Sequence, residues 1–139
     1  MQWKTQQAFL PSDFVNRIRL RRAALRYAEQ DWAVTPGACL SGARFVCGRA
    51  GCPTTACHPA DEQWEHDASS ESERVATWWR NQPHPVLLTT GIAFDIVEIP
   101  AHLGRYALDA SQAHADVLGA GRGQVRGPVA ATPTGRWMF

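Results

Sequence analysis

A cysteine-rich loop constrains the fold of this chain more than any other segment. Between Gly37 and Pro59 the sequence is rich in Gly, Ala, Pro and Cys, and it shows neither helical nor strand periodicity. A loop of this length is uncommon in a compact domain unless a function or a bound metal orders it. We therefore expect residues 37–60 to form a long loop that a metal ion ties down.

The ligands for such a metal are concentrated in "FVCGRAGCPTTACHP", where Cys47, Cys52, Cys57 and His58 follow a C-x4-C-x4-C-H spacing. Thiolates and imidazole are the donors that tetrahedral zinc prefers, although gaps of four are wider than those of the usual C-x2-C knuckle. Adjacent side chains point apart in extended backbone, so one of Cys57 and His58 can ligate while Cys39 completes the set. Reduced thiols and disulfides are the two alternatives to zinc.

The overall charge and hydropathy exclude other classes of protein. The formal net charge is +1 and the pI is about 7.8, so the chain as a whole lacks the strong positive charge that attracts a protein to nucleic acid. No apolar run approaches the ~20 residues that span a bilayer. The N-terminus lacks the charged start and apolar core of a secretory signal. We expect a cytoplasmic protein with no membrane partner.

Arginine is unevenly distributed. The chain has thirteen Arg and one Lys, and five of the Arg lie between Arg17 and Arg26. Such a run is typical of a solvated helix face. It is also compatible with contacts to phosphate, for which the guanidinium fork is suited, and Arg22 and Arg26 are then the candidate DNA contacts.

The order of the predicted elements indicates an α/β or α+β domain over residues 12–139, preceded by a flexible leader at 1–11. A helix begins near Ser12 as N-cap, with Phe14, Ile18, Leu25, Ala28 and Trp32 on one face, and a short strand covers 32–35. A second helix starts from a capping box of Ser70 and Glu73, and its buried side is Val75, Trp78 and Trp79. Adjacent strands are expected at 85–91 and 92–100, then a helix at 102–118 closed by Gly119, a flexible turn at 119–127, and strand pieces at 129–131 and 137–139.

Two carboxylates lie in the apolar segment "IAFDIVEIP". Metal-dependent nucleotidyl transfer uses carboxylates that reach the same ion, which on a strand requires a spacing of two residues. Asp95 and Glu98 are three apart, so a regular strand directs them to opposite faces. They are our candidate catalytic residues, and the alternative is a pair of carboxylates with local structural partners.

Together, "AALRYAEQDWAVTPG", the Cys-rich loop ending in His-Pro, "TGIAFDIVEIP" and "GPVAATPTGRWMF" resemble the N-terminal bifunctional DNA primase/polymerase (prim-pol) domain of the archaeo-eukaryotic primase superfamily. The resemblance runs from about Ala23 to Phe139. It implies a primase-type α/β core with an RRM-like sheet, template-directed nucleotidyl transfer with Mg²⁺ or Mn²⁺, and a structural Zn²⁺. It also implies DNA and nucleotides as partners, with a larger replication protein or second subunit.

Several positions depart from the family pattern. Cys47, Cys52 and His58 match the later members of its Cys/His motif, whereas Phe45 replaces the first cysteine. Glu98 falls on the first acid of the family's acid-x-acid motif, and Pro100 falls on the second.

The nucleotide-binding segment of the family has a histidine where "TPTGRW" has Arg136-Trp137, and Arg136 and Thr134 are candidate nucleotide contacts. The family domain continues to a further strand and acid, and we expect an incomplete C-terminus. The resemblance therefore implies a prim-pol-like domain that is weakly active or inactive as this chain. The alternatives are a non-catalytic, zinc-stabilised nucleic-acid-binding or regulatory module, and a partner-binding protein without a nucleic-acid role.

Overall fold

The computed structural model of this chain describes residues 11–118 and 129–139. Nearly all of the predicted leader and the whole glycine-rich turn at 119–127 lie outside these ranges. The chain divides into two compact units, one ending at Phe94 and the other beginning at Asp95. Within the described ranges, none of the helices combines the length and the apolar character needed to cross a bilayer.

The described part of the first unit contains three helices and four short strands. In chain order they are α1 (Pro11–Ala28), β1 (Val34–Pro36), β2 (Cys39–Ser41), β3 (Arg44–Val46), α2 (Trp64–Asp67), α3 (Ser72–Trp78) and β4 (Val86–Leu88). β1 pairs antiparallel with β4, with Val34 opposite Leu88, and β2 pairs antiparallel with β3, with Cys39 opposite Val46. The β2–β3 turn needs Gly42, whose φ of 62° is in the left-handed region.

The core of this unit forms where α1 and α3 pack near β1. Its buried residues are Ala24, Ala28, Val34, Val75 and Trp79. The two small Ala side chains let α1 approach the large Trp79 ring, whose Nε1 donates a hydrogen bond to the His84 carbonyl at 2.6 Å. Because Trp79 is only 1% exposed, this ring is held by both packing and a hydrogen bond.

The described part of the second unit is a small sheet with one helix. It comprises β5 (Glu98–Pro100), α4 (Ala101–Leu118), β6 (Ala130–Ala131) and β7 (Arg136–Met138). β7 lies between β5 and β6 and is antiparallel to both. The β6–β7 turn contains Gly135, whose φ is 74°, and the Gly135 carbonyl accepts a hydrogen bond from the backbone N–H of Ala101 at the start of α4.

The α+β class is confirmed, with the described strands distributed over three small antiparallel sheets. The predicted pairing of segment 85–91 with segment 92–100 is wrong, because β4 pairs with β1 while β5 pairs with β7. Only Glu98–Pro100 of the second segment is strand. The predicted loop at 37–60 contains the β2–β3 hairpin, which a sequence without period-two alternation did not reveal.

Two details of the predicted helices are also wrong. Phe14 and Ile18 are 54% and 38% exposed, whereas Ala28 of the same predicted face is buried in the core together with Ala24. The capping box at Ser70 is not formed: the N-cap of α3 is Glu71, which makes no side-chain cap. The Ser69 hydroxyl instead accepts a hydrogen bond from the Glu71 N–H. Burial of Val75 and Trp79 is confirmed.

Gly104 is the position at which α4 comes closest to β7. A Cβ added there would lie 2.6 Å from Cε3 of Trp137, a separation that real Cβ atoms essentially never show. The Trp137 indole therefore occupies the space that any larger residue would need.

We predict that Gly104→Ala destabilises the second unit despite the better helix propensity of Ala. Overpacking costs about 1–3 kcal/mol, whereas Ala gains about 1 kcal/mol over Gly inside a helix. Urea unfolding followed by tryptophan fluorescence measures the difference. Gly48→Ala is the control, because a Cβ at Gly48 meets nothing within 4 Å. Equal stability of the two variants would contradict the close contact.

Candidate metal centre and candidate catalytic strand

Backbone hydrogen bonds close the base of the Cys/His loop. The N–H of Ala38 donates to the His58 carbonyl at 2.7 Å, and the N–H of Ala60 donates to the Pro36 carbonyl at 2.9 Å. Gly37 and Pro59 form an antiparallel bridge between these two bonds. His58 is therefore anchored to the end of β1, a strand that lies in the core.

Three of the four predicted zinc ligands come together. The ligand atoms of Cys47, Cys52 and His58 all lie within 4.8 Å of one another, and the three side chains are half-buried. The Cys52 Sγ is 3.7 Å from Nε2 of His58. These three residues form a donor group that could hold a metal ion, because two thiolates and an imidazole suit a tetrahedral metal.

The orientation of His58 supports this use. Nδ1 of His58 lies 2.7 Å from the Ala56 carbonyl, which can only accept, so Nδ1 carries the proton and donates. In this tautomer of the neutral ring the free lone pair is on Nε2, which faces Cys52. A backbone carbonyl that fixes the tautomer in this way is the usual outer support of a metal-ligating histidine.

Neither Cys57 nor Cys39 belongs to this group. Cys57 is exposed, as expected if neighbouring side chains point apart and His58 faces inward. Cys39 is opposite Val46 in the hairpin, and its Sγ lies 3.2 Å from Nδ1 of His84. All four cysteines are free, so the disulfide alternative is not the state of this structure.

Cys39 and His84 form a separate, partly buried pair. The thiol donates a long hydrogen bond to Oε1 of Gln82 at 3.4 Å, and Nδ1 of His84 donates to the Gly37 carbonyl at 2.9 Å. Burial raises the pKa of the Cys39 thiol. Burial lowers the pKa of His84, and the bond to Gly37 opposes that shift. The pair is therefore a neutral thiol beside a neutral imidazole, which is not an activated nucleophile.

A cavity of about 440 Å³ lies beside the Cys/Cys/His group. Cys47, Cys52 and His58 line it together with Asp61 and Glu62. Glu62 forms an ion pair with Arg49 at 2.8 Å, which connects the two sides of the loop. The half-buried donors are therefore reachable from solvent.

On the candidate catalytic strand, the one carboxylate at a family position is already paired. Nε of Arg136 donates to Oε1 of Glu98 at 2.6 Å, and Nη2 of Arg136 lies 3.4 Å from the Glu98 carbonyl oxygen. The β5–β7 register places Arg136 opposite Pro100, two residues along the strand from Glu98. Both side chains are partly exposed, at 42% and 46%.

Asp95 does not join Glu98 in a metal-binding group. It is exposed, and it precedes the three-residue strand β5 rather than lying on it. Among the described residues, the only group of three or more His, Cys, Asp or Glu donors that could hold an ion is the Cys/Cys/His group. The described residues at Glu98 therefore do not fit a pair of Mg²⁺ or Mn²⁺ ions, which need several carboxylates.

The remaining candidate contacts lie on two separate elements. Thr134 is in the β6–β7 turn, with its hydroxyl 2.8 Å from that of Thr132, and Thr132 Oγ1 accepts a bond from the Arg136 N–H at 3.2 Å. These bonds hold the turn next to Arg136. Arg22 and Arg26 are exposed on α1, in the first unit.

Comparison with known protein families gives a match for this chain. Residues 24–139 match the model of the bifunctional DNA primase/polymerase N-terminal (Prim-Pol) family. The match covers most of the chain, so this protein belongs to the Prim-Pol family. Neither a curated protein nor a solved structure matches the chain significantly.

Proposed function

We propose that this chain is a prim-pol domain of DNA replication that binds nucleic acid and, by itself, transfers nucleotides weakly or not at all. The observation that carries the proposal is the hydrogen-bonded ion pair of Glu98 with Arg136. A carboxylate that neutralises a guanidinium is a poor ligand for a catalytic cation, since the two cations compete for the same oxygen. No described carboxylate joins Glu98 to restore the donor set.

Zinc is the metal that we propose for the loop, with Cys47, Cys52 and His58 as protein ligands. Bound zinc supplies structural cross-linking here, because a loop of this composition buries little apolar surface to offset its conformational entropy. The anchor of His58 to β1 would then connect the loop to the core.

Contacts to nucleic acid are proposed for Arg22 and Arg26 on α1, and contacts to nucleotide phosphates for Thr134 and Arg136. Arg136 keeps 42% of its side chain exposed, so a phosphate can compete with Glu98 for its guanidinium. The second candidate function is a regulatory module of a larger replication protein, which the absence of a described two-carboxylate site favours.

Metal analysis tests the zinc proposal. Purified wild-type protein is expected to retain about one equivalent of zinc through dialysis, and Cys52→Ser is expected to lose it because one of few ligands is gone. Cys57→Ser is the matched control and should keep the metal, since Cys57 lies outside the group of three. Less than about half an equivalent in the wild type would contradict the zinc site. Loss in Cys57→Ser would place Cys57 among the ligands.

Nucleotide incorporation and DNA binding, measured side by side, test the proposed function. With Mn²⁺ and a primed template, we expect the wild type to incorporate dNTPs no faster than Glu98→Ala. The wild type should nevertheless bind single-stranded DNA with an affinity that falls as salt rises. Incorporation that disappears in Glu98→Ala would show an active polymerase. If the wild type shows no DNA binding and no incorporation at physiological salt, the result would favour a partner-binding protein.

A further inference from the structure

Three arginines surround one cavity in the first unit. Arg17 and Arg21 extend from α1, and Arg80 follows the end of α3; together with Ile18 and Trp79 they line a cavity of about 240 Å³. A guanidinium nitrogen of Arg17 donates a hydrogen bond to the Arg80 carbonyl. This bond fixes one guanidinium at the junction of the two elements.

The positive charge of this cavity has no protein counterion in the part of the chain that the structure describes. Three of the described arginines outside the cavity have carboxylate partners: Arg49 pairs with Glu62, Arg74 with Asp67, and Arg136 with Glu98. None of the described ion pairs involves Arg17, Arg21 or Arg80. Three neighbouring cations without a carboxylate attract an anion, and guanidinium groups match the oxygens of phosphate better than other basic groups do.

The other walls of the cavity indicate which kind of phosphate it takes. Its aromatic residue, Trp79, is only 1% exposed, so its ring offers no surface on which a base could stack. Ile18 is the remaining lining residue and has no hydrogen-bonding group for a base or sugar. The cavity therefore offers positive charge to a phosphate group but no aromatic surface for a nucleobase.

We infer that Arg17, Arg21 and Arg80 form a phosphate pocket that holds the backbone of single-stranded nucleic acid without reading its sequence. Contacts of this type position a strand and contribute sequence-independent, salt-dependent affinity. The site rests on the proposed nucleic-acid binding and adds to it a location between α1 and α3. Arg17 and Arg21 precede residue 24, where the family match begins.

Titration of the protein with a fluorescent single-stranded oligonucleotide at several salt concentrations tests the pocket. Arg21→Gln/Arg80→Gln removes two charges and leaves the Arg17 hydrogen bond in place. Loss of two phosphate contacts lowers the slope of log affinity against log salt by about 1.4, which corresponds to about 10- to 25-fold weaker binding near 0.1 M salt. Arg21→Lys/Arg80→Lys should restore most of the slope, because the charge is retained.

The matched control is Arg44→Gln/Arg105→Gln, which makes the same charge change at two exposed arginines outside the cavity. We expect its affinity to stay within about threefold of the wild type. Circular dichroism confirms that each variant is folded. If the double variant unfolds, Arg80→Gln alone should lower the slope by about 0.7.

Three outcomes would overturn the inference. If the wild type binds the oligonucleotide and the pocket variant matches it in affinity and slope, the pocket is wrong while the proposed function stands. If the pocket variant loses binding of dNTP or inorganic phosphate but keeps its oligonucleotide affinity, the site takes free phosphates rather than a strand. If the wild type binds no oligonucleotide even at low salt, the proposed function fails and the pocket fails with it.

Discussion

The antiparallel pairing of β5 with β7 determines what Glu98 can do. The register pairs Arg136 with Pro100, diagonally across from Glu98, and the guanidinium donates to the Glu98 carboxylate at 2.6 Å. Both side chains are more than 40% exposed, so the pair adds little to stability once solvent screening is considered. Its consequence is chemical, because the Glu98 carboxylate that a catalytic metal ion would need is already bound to the Arg136 guanidinium. Family membership and catalytic competence are therefore separate questions for this chain.

The metal loop and the arginine cavity depend on a different constraint, the packing of α1 and α3 around Trp79. That packing supports β1, to which the base of the Cys/His loop is hydrogen-bonded. It also directs Arg17 and Arg21 towards the end of α3, where Arg80 lies. One small core thus positions both a group of soft donors and a group of cations. The first suits a metal ion, and the second suits phosphate.

The sequence predicted what depends on local chemistry. The proximity of Cys47, Cys52 and His58 was predictable because three metal-donor residues lie close together in the sequence. Burial of Val75 and Trp79 was predictable from helical periodicity. The hairpin of β2 and β3 and the β1–β4 pairing depend on contacts between distant segments, which periodicity does not encode. Phe14 and Ile18 were predicted on one face of α1 with Ala28, yet only Ala28 of these three is buried, packed with Ala24 and Trp79 in the core.

Two other contacts could not be predicted from the sequence. Arg80 follows the second of two tryptophans and reaches the cavity only because a turn ends α3 there. Arg136 was predicted to contact nucleotide from its place in "TPTGRW", and its hydrogen bond to Glu98 became visible only with the strand register. The role of a charged residue on a strand depends on its neighbours on the adjacent strand, and the sequence alone does not show which residues these are.

Binding of Mn²⁺ to Glu98 is the most direct test of the separation between family and activity. In ¹H–¹⁵N NMR spectra, a bound paramagnetic ion broadens the amide signals of nearby residues, here Val97, Glu98, Ile99 and Arg136. The ion pair predicts that equimolar Mn²⁺ leaves these signals as sharp as those of the rest of the second unit. Selective broadening centred on Glu98 would show that the carboxylate binds a divalent cation in spite of Arg136, and it would contradict the account.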